Sequence, residues 1–280
     1  MSTPRLIDAH HHIWRLARGD YGWLTSALAP IHRDFGLPDL APHLARHGIT
    51  GTILVQAAPT ESETAFLLAV AAANNLVTGV VGWTDLEAPE AAVRIAELAA
   101  DSRLVGLRPM VQDLADDDWL LRDSLAPAFA AMTRHRLVFD ALVLPRHLPR
   151  LLRMADSHPN LSIVLDHCGK PAITAATLDP WRDDVARLAE RPNVVCKLSG
   201  LVTEAGANWQ PDDLRPYVDH VLKCFGAERL LWGSDWPVVN LAGHYDAWRD
   251  AADMLVPSAA RDAIFGATAE RVYLSHRGVG

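Results

Sequence analysis

The chain has 280 residues, 50% hydrophobic and 21% charged, with 34 acidic against 26 basic side chains and a formal net charge of −8. That apolar share supports a large core and excludes a disordered chain. The acidic balance, with no basic run, argues against a nucleic-acid partner, and no apolar run reaches the roughly 18 residues a bilayer span needs.

The opening segment, MSTPRLIDAHHH, has no apolar signal region. Short apolar, β-branched runs then predict eight strands, at 6–14, 50–57, 78–85, 105–111, 137–144, 162–167, 194–200 and 230–236. The first ends in Asp8-Ala9-His10-His11-His12 and leads into a long irregular segment, 15–37, expected to form a lid or pocket wall. The second ends at Gln56, before Ala- and Leu-rich helix formers at 61–75. Trp83 closes the third, followed by a helix at 90–100, and Arg108 lies near the end of the fourth. The fifth carries Asp140, and Leu148, Leu151, Leu152 and Ala155 after it have helical spacing. The sixth ends in Asp166-His167-Cys168-Gly169-Lys170, and the seventh holds Lys197 and Ser199. Leu214, Val218, Val221, Leu222 and Phe225 then mark a helix that starts or kinks at Pro216 and stops at Gly226. The eighth ends in Gly233-Ser234-Asp235-Trp236-Pro237.

Eight strand-then-helix units with short connectors predict one α/β domain over 1–280, a single (β/α)8 TIM barrel. A doubly wound open sheet is the rival, but no Gly-rich phosphate turn follows the first strand. Barrel chemistry sits at the C-terminal ends of strands. In an extended strand His10 and His12 share a face, while His11 takes the other and packs between strand and helix. Alone, each polar residue has an ordinary explanation: a turn organiser, a satisfied loop histidine, a solvated side chain. Together, His10, His12, His167 and Asp235 fall at one end of the barrel, where burying them without a role costs several kcal/mol. His32, His43, His47, His135, His147, His158, His220, His244 and His276 read mostly as solvated, with His32 and His244 as outside candidates for a pocket. Trp14, Trp83 and Trp236, at strand ends, suit the apolar face of a sugar ring. Ser199 and Ser234 lack the Gly-x-Ser-x-Gly turn of a serine nucleophile. Cys168, Cys196 and Cys224 match no metal spacing and read as free thiols in a reducing cytoplasm.

The segments IDAHHHIW, YGWL, LVQAAPTESET, GVVGWTDL, VQDLADDDWLL, LDHCGKP, VVCKLSGLVTEA, LRPYVDHVL and LWGSDWPV, in this order, resemble the sugar-acid lactonase branch of the amidohydrolase superfamily (amidohydrolase-related family 2), with L-fuconolactonase-like members nearest. The likeness implies a (β/α)8 barrel, hydrolysis of a cyclic carboxylic ester, and a central group of His10, His12, His167 and Asp235. Expected substrates are L-fucono-1,5-lactone or the related L-rhamnono- and L-galactonolactones. The alternatives are a pyrone- or muconate-type dicarboxylate lactone, a metal-dependent decarboxylase of the same superfamily, and a non-catalytic binding protein. Asp235 is expected to take a proton from water while the histidines polarise the carbonyl. Arg108, Lys197, Gln56, Trp83, Trp14 and Trp236 are expected to bind the ring. No metal is expected to be required; a zinc ion, where held, would take His10, His12 and Asp235 with His167 as a fourth ligand. The partner is a small-molecule lactone, with no nucleic acid and no membrane, for a cytoplasmic monomer or small homo-oligomer.

Overall fold

Strands this apolar are stable only when covered on both faces, and parallel neighbours need long crossovers, which helices supply. The computed structural model describes residues 5–275; His276 lies outside them. Its strands are β1 (Ile7–His11), β2 (Gly51–Val55), β3 (Val77–Gly82), β4 (Leu104–Leu107), β5 (Val138–Ala141), β6 (Ile163–Leu165), β7 (Val194–Leu198) and β8 (Leu230–Trp232). They form one sheet in sequence order, and every neighbouring pair is parallel. Past β8 the sheet closes: His11 bridges to Trp236, His12 N donates to Trp236 O at 2.7 Å, and Asp235 N donates to His10 O at 2.8 Å. The architecture is the expected (β/α)8 barrel.

The helices that cover it are α1 (Leu37–Arg46), α2 (Glu61–Ala73), α3 (Ala91–Leu98), α4 (Ala126–Arg134), α5 (Leu148–Ser157), α6 (Trp181–Ala189), α7 (Leu201–Ala205), α8 (Pro211–Phe225) and α9 (Tyr245–Leu255). Helix α2 starts where Thr60 accepts a hydrogen bond from the Glu63 amide at 3.1 Å. Pro216 does not start α8, which opens at Pro211 and runs through Pro216 to Phe225, with Gly226 as its C-cap.

Apolar side chains divide into two clusters. Ile7, Ala9, Ile53, Val55, Val81, Val105, Val138, Val164, Val195 and Leu231 fill the barrel interior, stoppered by Ala269 and Tyr273 of the C-terminal segment. The larger cluster lies between strands and helices.

Several strands end sooner than the apolar runs suggest. The expected strand at 162–167 pairs only over Ile163–Leu165, and that at 230–236 only over Leu230–Trp232. The chain turns away sharply just beyond: His167, Cys168 and Asp235 have φ of 53°, 52° and 57°. Non-glycine residues held there cost on the order of 1–3 kcal/mol each and concentrate at functional sites. The site residues thus sit on the turns that follow strands, held by the barrel rim beneath.

Candidate active site

The bonds that close the barrel also assemble the site. Pairing between β1 and β2 shifts register between Asp8 and His11, and His10 and His12 both face the axis beyond it. Closure then lays Asp235 beside them. His10 Nε2 is 3.2 Å from His12 Nε2, and Asp235 Oδ1 lies 3.4 Å from His12 Nε2 and 3.7 Å from His10 Nε2. Gly233 permits this approach, since a Cβ there would stand 2.5 Å from His10 Cβ. His167 reaches in from the β6 turn, with its ring centroid 4.6 Å from that of His10 and its Nδ1 2.8 Å from Ser199 Oγ. Gly200, at φ 67°, leaves room for that ring; a Cβ would approach it to 2.6 Å.

A cavity of about 160 Å³ opens above, walled by His12, His167, Asp235 and Arg108 among others. Asp8 holds the seam from behind: its Oδ1 accepts from the Ser234 and His10 amides at 2.9 and 3.2 Å, and its Oδ2 from the Tyr245 hydroxyl at 3.1 Å. Glu63 anchors the cavity's β2 side, accepting from the Ala57 and Ala58 amides at 2.9 and 2.6 Å. Sequence reasoning gave neither acid a role. For Asp8 the signal was an acid inside an apolar run, which needs a buried partner; Glu63, in the polar stretch PTESET, carried none.

Burial pushes the His167 imidazole down to about 4 and holds His10 well below its ordinary range, with Lys197 adding to the effect on His10. Both rings are therefore neutral at pH 7. Burial alone would raise Asp235, but the charge that His167 and His10 take up in acid outweighs it and holds the carboxyl well below its ordinary range, so it is ionised at pH 7.

The remaining candidates separate by depth. Arg108 borders the cavity and is clamped by Gln56: Gln56 Nε2 donates to Arg108 O at 2.7 Å, and Arg108 Nη2 donates to Gln56 O. Gln56 itself is fully buried behind that guanidinium. Lys197 is also fully buried, with its ammonium 2.6 Å from Asp140 Oδ2 and 2.8 Å from Asp166 Oδ1. Trp14 and Trp236 do not present faces to the cavity. They pack on Phe35 at ring distances of 5.6 and 5.3 Å, and the Trp14 indole donates to Arg33 O. The 15–37 loop folds over them because large apolar rings at a barrel rim gain most from cover. Trp23 of that loop does wall the cavity, as expected of a pocket-forming segment. Trp83 and Trp119 line a larger neighbouring space of about 520 Å³ that shares Trp23, Met110 and Asp113 with the first. His32 and His244 are exposed and outside both. His11 packs as expected, buried with Nε2 3.0 Å from Thr52 Oγ1. His147, expected to be solvated, is buried between the Leu144 amide and Asp117.

The chain matches the amidohydrolase family model over residues 7–274. It belongs to the amidohydrolase family. This amidohydrolase is 49% identical over 283 residues to an L-fucono-1,5-lactonase of Burkholderia ambifaria, covering 98% of this chain and 97% of that one. It is 39% identical to an L-fucono-1,5-lactonase of Burkholderia multivorans, across 95% of each chain. An amidohydrolase of Burkholderia multivorans crystallised with bound zinc has a TM-score of 0.89 at 38% identity, covering 96% of this chain and 99% of that one.

Among the described residues, two groups have metal-ligand spacing: His10, His12 and Asp235; and His10, Asp166 and His167. His167 thus groups with Asp166 rather than standing as a fourth ligand beside Asp235. Tetrahedral zinc with ~2.0–2.1 Å bonds sets its ligand atoms roughly 3.3 Å apart, close to the spacing of the first group. The donor chemistry fits less well. His10 Nδ1 is 3.2 Å from the Lys197 ammonium, and its Nε2 is 3.3 Å from the Arg108 guanidinium. Both ring nitrogens face cations.

Proposed function

We propose that this amidohydrolase opens a sugar-acid lactone to its aldonic acid, with L-fucono-1,5-lactone the first candidate, and that it needs no metal to do so. The observation that carries the reading is an ionised carboxylate, Asp235, seated 3.4 Å from His12 on a cavity wall shared with His167 and Arg108. The chain's 49% identity to an L-fucono-1,5-lactonase supports the substrate class.

Asp235 takes a proton from a water as the water oxygen bonds to the lactone carbonyl carbon. The neutral ring of His167, on the cavity wall, offers an N–H donor to the carbonyl oxygen, where negative charge develops, while His10 supports the site from beneath. The intermediate collapses by breaking the bond from the carbonyl carbon to the ring oxygen. That oxygen leaves with the proton held by Asp235, giving a hydroxyl and a carboxylic acid that ionises in water. Arg108, fixed by Gln56, orients the ring hydroxyls. An ester is a better electrophile than an amide, so donors of this kind suffice. The three cysteines are free thiols, in keeping with a cytoplasmic site of action. No helix among the described residues is long and apolar enough to cross a membrane.

A panel of L- and D-sugar lactones, assayed with a pH indicator with and without a chelator, tests both parts. Acid release on L-fucono-1,5-lactone that survives chelation is the expected result. No hydrolysis of any lactone above the buffer rate would defeat the substrate class; loss of activity on chelation would defeat the metal-free scheme.

A further inference from the structure

Beneath the cavity, the Lys197 ammonium is ringed by Asp140 Oδ2 at 2.6 Å, Asp166 Oδ1 at 2.8 Å and His10 Nδ1 at 3.2 Å. An ammonium has three N–H donors and no lone pair, and a neutral imidazole accepts at one nitrogen only. Arg108 Nη1 stands 3.3 Å from the other ring nitrogen, Nε2. Two cations therefore compete for one lone pair on His10.

His12 decides between them. Its Nδ1 is 2.8 Å from Val55 O. A carbonyl only accepts, so Nδ1 of His12 carries the proton and Nε2 the lone pair. That lone pair lies 3.2 Å from His10 Nε2. With the His10 proton on Nε2, the series Lys197, His10, His12, Val55 runs donor to acceptor throughout and the Arg108 contact is unfavourable; the His12 lone pair facing Asp235 Oδ1 at 3.4 Å is common to both His10 tautomers. With the proton on Nδ1, Arg108 gains an acceptor, but Lys197 meets an N–H and two ring lone pairs oppose each other. The nearest carboxylate for that Nδ1–H, Asp166 Oδ1, is 3.7 Å away, too far for a hydrogen bond. Arg108 borders the cavity and can give its spare N–H to solvent or substrate; Lys197 is fully buried.

We propose that Lys197 is a positioning residue that locks His10 with its proton on Nε2, making the ring a hydrogen-bond donor and setting it against a metal ion. Ligation through Nε2 needs that nitrogen's lone pair. It therefore requires moving the proton to Nδ1, directly in front of the ammonium. Three donors at metal spacing are thus held in a hydrogen-bonding state by a cation underneath. The lock does not depend on which lactone is the substrate.

Nitrogen-15 NMR of the whole protein, metal-free at neutral pH and labelled at histidine, reads the tautomer directly. The His10 signals are assigned by their loss in His10→Gln. His10 Nε2 is expected in the protonated range and Nδ1 in the unprotonated range; the reverse overturns the proposal. Zinc affinity, measured by competition with a chromophoric chelator, provides the second test. The double variant Lys197→Met/Asp140→Asn removes one charge of each sign, so the net charge is unchanged. It is expected to bind zinc about ten-fold more tightly than wild type, in the range by which groups behind a ligand change metal affinity. Unchanged or weaker binding by the folded variant overturns the lock. If the variant does not fold, the wild-type tautomer decides alone.

Discussion

The barrel holds two polar groups of similar composition, one at the rim and one beneath it, and they have opposite fates. The rim set, His12, His167, Arg108 and Asp235, borders a cavity. The lower set, Asp140, Asp166, Lys197 and Tyr273, is buried and pairs mostly within itself: Lys197 ion-pairs with both carboxylates, the Tyr273 hydroxyl sits 2.9 and 2.8 Å from the two Asp140 oxygens, and only Asp166 Oδ2 reaches up to Arg108 Nη1, at 3.5 Å. Burial raises Asp140 to about 6 against the opposing pull of Lys197, with Asp166 adding to the rise. Charge in a barrel interior is thus no mark of catalysis by itself. What separates the sets is whether a hydrogen-bonding direction is left over for a ligand. His10 belongs to both, and through it the lower set acts on the upper.

Four variants probe that division. Asp235→Asn should lower kcat by roughly 10²–10⁴-fold, the usual contribution of a general base, while the thermal midpoint stays close to wild type. Near wild-type turnover on every lactone would remove Asp235 from its role. Lys197→Met should do most of its damage to stability, because it strands Asp140 without its cation and leaves Asp166 only Arg108 Nη1 at 3.5 Å. Breaking a buried pair costs about 3–5 kcal/mol, and urea titration would read it. A loss under about 1 kcal/mol would mean that the lower set is not the closed unit described.

Glu63 gives a pH test away from the reacting groups. Burial pushes its carboxyl up to about 7, against the pull of the Ala58 and Ala57 amides. The unfolded chain releases this proton near 4.5 and the folded chain near 7, so Glu63's stabilisation is fullest below pH 4.5 and is lost as pH rises through 7. Glu63→Gln removes this titration. Relative to wild type, the variant should therefore gain up to about 3 kcal/mol between pH 4.5 and 8. A difference in unfolding free energy that stays flat or shrinks across that range would refute the assignment. The smallest effect belongs to Tyr273→Phe, which takes one donor from Asp140 and should cost about 1–3 kcal/mol with little change in kcat. A large kcat loss would show that the stopper reaches the chemistry through Lys197.

The alternation in IDAHHHIW placed His10 and His12 together, and strand order placed His167 and Asp235 at the same end, because a barrel's direction is fixed once its strands are parallel. The misreadings are as informative. Trp14 and Trp236 end strands as Trp83 does, yet they vanish under the 15–37 loop, whose path no local pattern encodes. Asp140 and Lys197 each looked like an isolated polar break in an apolar run. Their pairing joins residues 57 positions apart, and no periodicity reports it.

By itself, then, the order of apolar runs determined the barrel, and the polar residues after those runs determined the rim chemistry. Both are local properties, set by strand period and chain direction. The tertiary structure decided which polar groups keep a free hydrogen-bonding direction, that Gln56 serves Arg108, and that a buried ammonium faces His10. Those outcomes depend on which side chains meet across the barrel axis, and distance there is settled by closure of the sheet.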